Sequence, residues 1–243
     1  DDPGIIARMD ASGVASITYT DGKIYSYPSP APRATFGVFY NKKVFADAGL
    51  KPPTSLAGMT ATLQTIAGRG IVPLSVSGKD GWTLLQHRNA VNVQIISQDR
   101  DAARRLTTNT ATWTDFPVLR QHYDALAGWA ERGYLNKDAL TATYEQAVDA
   151  VANGRAAMLI NGSWAIGDLI KANPAAADGI GFFPLPAPDG PAMLGISGAD
   201  QLHISARSAH IDAAKAFLRY LNEPARAQAW MDASPGVPLY RDT

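Results

Sequence analysis

The chain has 243 residues, 46% of them hydrophobic, which suffices to bury a core in one large or two small domains. Its 22 basic and 22 acidic residues give a formal net charge of zero, which excludes the basic surface of a nucleic-acid-binding protein. Cysteine is absent, and this excludes disulfides, zinc–thiolate sites and cysteine nucleophiles.

In chain order, short apolar strands alternate with amphipathic helices, which is typical of an α/β fold. The predicted strands are 23–27, 35–40, 72–76, 156–160, 179–183 and 201–204. The predicted helices are 42–48, one capped by Thr54 or Ser55 and ended by Gly68 to Gly70, 82–97, one capped by Asp115 and ended by Gly133, 144–151, one from Trp164, 211–222 and one from Pro224. Asn41 and Ser163 are the predicted N-caps of the helices that follow them.

The segment from Asn153 to Trp164 is the most informative part of the chain. The apolar run 156–160 predicts a buried strand, which Asn161-Gly162-Ser163 then ends in a turn. Trp164 therefore follows the carboxyl end of a strand, where open α/β sheets bind ligands. A flat indole at that place suits the apolar face of a sugar ring. The alternative is a tryptophan that only fills the seam between helix and sheet.

The sequence gives no sign of a transmembrane helix, a signal peptide or a histidine metal site. No window approaches 18 consecutive apolar residues, so no transmembrane helix is predicted. The first residues lack the basic and apolar regions of a signal peptide, so we expect a cytosolic or an already processed chain. The histidines lack metal-ligand spacing, and each is expected to face solvent or make one hydrogen bond. They are His87, His122, His203 and His210.

An ordered series of segments resembles the extracellular solute-binding proteins that serve bacterial ATP-driven importers, in the sugar-binding branch typified by maltose-binding protein. The segments that carry the resemblance are 21–25, 27–28, 39–42, 53–54, 154–158, 161–164, 181–186, 213–218, 228 and 236–238. Each motif is weak alone, but their order from residue 21 to residue 239 is specific.

The resemblance implies an α/β, periplasmic-binding-protein-like fold of type II, mainly its carboxyl-terminal lobe with the segments that cross the hinge. Residues 1–34 would be a remnant of the amino-terminal lobe with the first crossover. Residues 35–198 would form the carboxyl-terminal lobe, and residues 199–243 the hinge return with helices of the amino-terminal lobe. Family members are longer, so the chain is expected to lack the first strands and helices of that lobe.

The resemblance also implies ligand contacts in the carboxyl-terminal lobe. Trp164 matches the family position at which an aromatic ring stacks on the sugar. Trp82 follows a helix start where related proteins place cleft residues, and its alternative role is a core anchor. Asp80 has the chemistry to accept hydrogen bonds from two sugar hydroxyls, and its alternative role is to cap the helix at Trp82.

The remaining ligand candidates lie in the crossover segments. Asp200, Ser197 and Gly198 belong to a stretch that resembles the family's loop returning to the hinge. Arg33 lies in the proline-rich first crossover, from which it is expected to reach the cleft.

The function implied is capture of a sugar or oligosaccharide between two lobes by hinge closure, without catalysis, cofactor or metal. The expected partners are the sugar and the membrane permease subunits of an ABC importer, with the protein a monomer. The expected location is periplasmic or extracellular, with any lipid anchor in a segment outside this chain. The alternatives are a binder of a polyamine or metal chelate, and a glycoside hydrolase using Asp80 and Asp200 as its carboxyl pair.

Overall fold

The computed structural model of the chain describes residues 2–234 and 236–242. The α-helices are α1 (Pro3–Arg8), α2 (Ala11–Ile17), α3 (Lys42–Asp47), α4 (Leu56–Ala67), α5 (Leu85–Gln98), α6 (Ala102–Thr107), α7 (Pro117–Glu131), α8 (Tyr144–Ala152), α9 (Ala165–Ala172), α10 (Ile211–Leu221) and α11 (Pro224–Ala233). The strands are β1 (Tyr27–Pro28), β2 (Phe36–Asn41), β3 (Val72–Ser75), β4 (Ala156–Gly162), β5 (Ile180–Phe183) and β6 (Gln201–Leu202). Short 3₁₀ helices cover Gly81–Leu84, Trp113–Asp115 and Pro174–Gly179.

The elements divide into two structural units. Unit 1 consists of Asp1–Thr35 with Ile196–Thr243, and unit 2 is Phe36–Gly195. The sequence-based division at 34/35 and 198/199, and the lobe assigned to each part, stay predictions. Among the described residues, no helix combines the length and the apolar character needed to cross a bilayer.

Unit 2 is built on a mixed four-stranded sheet with the order β3-β4-β2-β5. β3 runs parallel to β4, while β2 runs antiparallel to both β4 and β5. The carboxyl ends of β3, β4 and β5 therefore share one edge of the sheet. β3 lies at the side of the sheet, where a proline such as Pro73 is tolerated within a strand.

The core of unit 2 follows from its hydrophobic pattern. Every residue of β4 is buried, which explains why this strand reads as a continuous apolar run. In α4 the fully buried Met59, Leu63 and Ile66 recur at helical spacing, and the Ser55 hydroxyl accepts from Gly58 N at 3.0 Å as the N-cap. Trp129 is fully buried, and its indole N–H donates to Thr60 Oγ1 at 2.9 Å.

Unit 1 has a smaller core and little sheet. β1 and β6 pair antiparallel, with Tyr27 opposite Leu202. Helices α1 and α2 were not predicted, and they bury Ile5 and Ile17 in a cluster that also contains Tyr240.

Several predicted element boundaries are wrong for identifiable reasons. Strand 23–27 is reduced to β1, because Asp21 accepts from Lys23 N and Tyr25 OH and holds this segment in a turn. Asp115 does not cap α7. It accepts from the backbone N–H of Thr112 at 2.7 Å, and α7 begins two residues later at Pro117.

Two further differences concern helices. The helix expected from Trp164 is assigned from Ala165, although the Trp164 backbone is already helical and the Ser163 carbonyl accepts from Ile166 N. The capping role of the Ser163 side chain stays a prediction. In the predicted helix 211–222, which is observed as α10, Leu218 supplies the buried contact, whereas the neighbouring Phe217 is 58% exposed.

Candidate functional site

The candidate site of unit 2 lies at the sheet edge where β3 and β4 end. The parallel register sets Ser75 beside Leu159, so the two strands leave the sheet together. β3 continues into the loop before the Gly81–Leu84 turn, which carries Trp82, and β4 continues directly into Trp164. Both tryptophans therefore follow the carboxyl ends of neighbouring parallel strands, where α/β sheets bind ligands.

Four aromatic rings meet at this edge, and we call them the aromatic cluster: Phe36, Trp82, Tyr144 and Trp164. The Trp82 ring centroid lies 6.2 Å from that of Trp164 and 5.0 Å from that of Tyr144. Phe36 contacts Trp164 edge to face at 5.7 Å. Trp82 is exposed and Trp164 is half-buried. The cluster thus gives unit 2 an aromatic surface at the edge of the sheet where α/β folds bind ligands.

A hydrogen bond holds the Tyr144 ring beside Trp164. The Tyr144 hydroxyl donates to Asp168 Oδ2 at 2.8 Å. The Trp164 indole lies close to the same phenol oxygen. Burial of the phenol, and then its bond to Asp168, raise the pKa of Tyr144. Tyr144 therefore stays protonated and keeps donating.

The position of the Trp164 ring requires a glycine at residue 162. A Cβ built on Gly162 would lie 2.1 Å from a carbon of the Trp164 six-membered ring. The indole therefore folds back against the last residue of β4, and only glycine leaves room for it there.

Asp80 has a structural contact that neither of its predicted roles included. Its Oδ2 accepts from the backbone N–H of Tyr144, the first residue of α8, at 2.7 Å. The predicted cap of the helix at Trp82 is wrong, because Asp80 makes no side-chain bond to that turn. Asp80 instead satisfies a free N–H of α8 and so joins the Trp82 segment to Tyr144.

The structure thus brings three predicted site residues together in unit 2, namely Trp164, Trp82 and Asp80. The other four candidates belong to unit 1. Ser197 bonds the first crossover there: its N–H donates to Ala34 O at 2.7 Å and its hydroxyl accepts from Ala34 N at 2.9 Å.

Gly198 and Asp200 differ in how tightly unit 1 holds them. A Cβ on Gly198 would lie 3.1 Å from Ser16 Cβ, so the backbone runs close to α2. Asp200 is exposed, and its backbone carbonyl accepts from Ser29 N at 2.7 Å. The ligand contacts expected of Ser197, Gly198 and Asp200 stay predictions.

Arg33 is buried in unit 1, with 5% of its side chain exposed. Its guanidinium pairs with Asp10 at 2.5 Å and donates to Ser12 Oγ and Pro238 O. These bonds use most of its donors inside unit 1. The ligand contact expected of Arg33 stays a prediction, and its environment favours a structural role instead.

The expectation for the histidines is wrong for His87. It is buried on α5, and no described residue bonds either of its ring nitrogens. Burial, and then the neighbouring His122, lower the pKa of His87 to about 3. His122 is also buried, with one bond to Gln94, and burial lowers its pKa to about 4. In the described part of the chain, no group of three or more His, Asp or Glu is arranged to hold a metal ion.

Sequence reasoning missed Tyr144, Asp168 and Phe36 as members of the site. Tyr144 follows the N-cap Thr143, so it reads as the start of an amphipathic helix. Asp168 lies in the first turn of α9, where an acidic residue is ordinary. Only the three-dimensional arrangement of α8, β4 and α9 brings them to Trp164.

Comparison with known proteins agrees with this architecture. The crystal structure of a sugar transporter from Bacillus licheniformis in complex with stachyose superposes with a TM-score of 0.79 at 23% identity. The match covers 98% of this chain and 62% of that one. It confirms the predicted fold class, an α/β periplasmic-binding-protein-like fold.

Two named proteins are similar in sequence to this chain over most of the chain's length. The multiple sugar-binding protein of Streptococcus mutans is 27% identical over 220 residues, covering 89% of this chain and 51% of that protein. The melibiose/raffinose/stachyose-binding protein of Bacillus subtilis is 25% identical over 223 residues, covering 88% and 50%. Both are binding proteins by name, and the chain spans about half the length of these curated relatives.

The family described as bacterial extracellular solute-binding protein matches residues 9–228, nearly the whole chain. Proteins of an extracellular family act in the periplasm or outside the cell. The predicted family is therefore confirmed: the chain belongs to the bacterial extracellular solute-binding proteins.

Proposed function

We propose that the protein binds a sugar or oligosaccharide, without chemical change, and delivers it to an ABC importer. The observation that carries the proposal is the aromatic cluster at the carboxyl edge of the unit 2 sheet, with Trp82 and Trp164 6.2 Å apart. The names of the relatives, which refer to multiple sugars and to melibiose, raffinose and stachyose, support the same ligand class.

The chemistry of the cluster suits a carbohydrate. Indole faces cover the C–H surface of a pyranose, while hydroxyls at the ring's rim need hydrogen-bond acceptors. Asp80 lies beside the cluster and has a second carboxylate oxygen besides the one that bonds Tyr144 N. We therefore assign Trp164 and Trp82 to ring stacking and Asp80 to hydroxyl binding.

The partners follow from this role. A binding protein of an importer presents its cargo to membrane permease subunits, and closure of two lobes over the sugar is the expected signal. Asp200, Ser197 and Gly198 of unit 1 are proposed to contribute polar contacts. We also propose that the protein acts as a monomer and does not catalyse a reaction.

The test is a titration of the protein with mono-, di- and oligosaccharides, followed by tryptophan fluorescence and by calorimetry. We expect saturable binding of at least one sugar. Trp164→Ala and Trp82→Ala are each expected to weaken that sugar by roughly tenfold, since each removes a stacking face. Trp113→Ala is a matched control, because Trp113 is 44% exposed and Trp82 is 42% exposed, yet Trp113 lies outside the cluster.

Two results would contradict the proposal. One is the absence of calorimetric heat with every sugar. The other is equal loss of affinity in Trp113→Ala and in the two cluster variants, which would assign the effect to general destabilisation.

A further inference from the structure

Unit 2 contains a cavity of about 190 Å³ next to the sheet edge. Its walls come from the ends of β3 and β4, from α5 and α7, and from the loop before α8. Its lining includes Ser77, Leu84, His87, Ala139, Leu140 and Asn161. The aromatic cluster does not line it, so this cavity is distinct from the candidate sugar site.

Three of the buried polar side chains that line this mainly apolar cavity have no hydrogen-bond partner among the described residues, namely Ser77, His87 and Asn161. Ser77 is 2% exposed, His87 6% and Asn161 0%. Among the described residues, none bonds the Ser77 hydroxyl, either ring nitrogen of His87 or the Asn161 Nδ2. Buried polar groups of this kind are normally paired, because leaving one unpaired costs about 1–3 kcal/mol.

The backbone around these groups is firmly held. The register sets Ser75 beside Leu159, and Ser77 and Asn161 each follow two residues later. The Asn161 Oδ1 accepts from Gly162 N at 2.8 Å, which fixes the amide so that its N–H₂ is the free end. The Thr83 hydroxyl donates to the Ser77 carbonyl. The strand register and these hydrogen bonds therefore hold the three groups in a preformed, rigid arrangement.

The His87 ring is fixed by aromatic neighbours. It stacks on Tyr123 with an interplanar angle of 15°, and the His122 ring meets it edge on at 5.6 Å. A neutral imidazole donates from one nitrogen and accepts at the other. Together with the Asn161 N–H₂ and the Ser77 hydroxyl, the cavity offers at least two donors and an acceptor, all uncharged.

We propose that this cavity is a second binding site, for an uncharged molecule of about one ring that carries a carboxamide or a hydroxyl. A carboxamide oxygen accepts from the Asn161 N–H₂, while its N–H₂ donates to His87 or Ser77. An apolar cavity of about 150 Å³ holds a benzene ring, so a ring with a small polar group fits this volume. Leu84 and Leu140 are 46% and 79% exposed, so the side of the cavity that they line faces solvent and can admit a ligand.

The lining excludes other ligand classes. A free sugar carries a hydroxyl on nearly every carbon, and most of these would face leucines without partners. An anion or cation would find no opposite charge among the lining residues. A cluster of water molecules also satisfies the three polar groups, and the test separates it from an organic ligand.

The probe is benzamide, with benzoate as the charged control and toluene as the apolar control. Binding is followed through the imidazole signals of His87 by NMR. We expect a saturable shift with benzamide, none with benzoate, and clearly weaker binding of toluene. Ser77→Ala should weaken benzamide roughly three- to tenfold. Ala139→Leu should abolish binding by filling the cavity, and Leu140→Ala, which widens the entrance, should not.

The site assignment fails if benzamide causes no saturable shift, in which case the cavity holds water only. It fails equally if the Ala139→Leu variant still binds benzamide while its circular dichroism and thermal midpoint show that it is folded. Equal affinity for toluene would refute the polar ligand class. Sugar binding measured on the same samples reports on the aromatic cluster separately, because Ala139→Leu leaves the cluster intact.

Discussion

The hydroxyl of Tyr144 donates a hydrogen bond to Oδ2 of Asp168 over 2.8 Å. The Trp164 indole lies close to the same phenol oxygen, so Tyr144 brings α8 into contact with the proposed stacking residue after β4. Because both contacts lie within unit 2, we expect the orientation of Trp164 to be set before any ligand arrives. Such preorganisation lowers the entropy lost on binding.

Tyr144→Phe tests this relationship, since it keeps the ring and removes the hydroxyl. We expect sugar affinity to fall roughly three- to tenfold, the usual contribution of a neutral hydrogen bond. The near-ultraviolet circular dichroism of the Trp82–Trp164 pair should change as well, because the indole loses its fixed orientation. Asp168→Asn retains an acceptor and is the control expected to keep both signals. Unchanged affinity and spectrum in Tyr144→Phe would show that packing alone orients Trp164.

Gly162→Ala is predicted to displace the Trp164 ring. The new methyl group would lie 2.1 Å from a ring carbon, and a rigid indole cannot yield as the end of a flexible side chain does. Sugar affinity should fall at least as far as in Trp164→Ala, while unit 2 still folds. Gly81→Ala is the matched control, because nothing lies within 4 Å of a Cβ at that glycine beside Trp82. Normal sugar affinity in Gly162→Ala would exclude Trp164 from the site.

Local signals made much of unit 2 predictable from the sequence. The buried run of β4 placed Trp164 at the end of a strand, and Asn41 was identified as an N-cap, where its Oδ1 accepts from Val44 N at 3.2 Å. Of the two cap candidates of α4, Thr54 and Ser55, it is Ser55 that caps the helix. Each of these signals lies within a few residues of the feature that it specifies.

The features that escaped prediction depend on contacts between distant segments. Tyr144 meets Trp164 across an intervening helix and strand, and Asp80 bonds Tyr144 N from 64 residues away. His87 is buried because α5 packs between the sheet and α7, although its sequence shows no clear apolar stripe. Where two local signals competed, Asp115 bonds the backbone N–H of Thr112 and makes no cap bond to α7.

Asp80 is predicted to have two separable roles. Asp80→Ala removes the acceptor of Tyr144 N and should lower the free energy of unfolding by about 1 kcal/mol, as lost helix caps do. Asp80→Asn keeps an acceptor, so its stability should stay near that of the wild type. Its sugar affinity should nevertheless fall severalfold, because a carboxylate accepts from hydroxyls more strongly than an amide. Urea unfolding and calorimetry on both variants separate the two effects. Wild-type affinity in Asp80→Asn would leave only the structural role.

The buried His87 and His122 predict how stability depends on pH. Their pKa values fall from 6.5 to about 3 and about 4 on folding, so the unfolded chain binds more protons. Their contribution is therefore complete above pH 6.5 and is lost as the pH falls toward the folded pKa values. When the pH falls from about 7.5 to about 5, the free energy of unfolding should decrease by about 2 kcal/mol for each of the two histidines.

Urea unfolding at these two pH values provides the measurement. Asp and Glu side chains titrate mainly below this range, so the difference reports on histidine. His87→Gln and His122→Gln should each reduce the loss of stability on acidification, since neither variant has a proton to take up there. His210→Asn is the control, because His210 is exposed and should leave the loss unchanged. A loss of wild-type size in both buried-histidine variants would show that groups other than His87 and His122 cause the pH dependence.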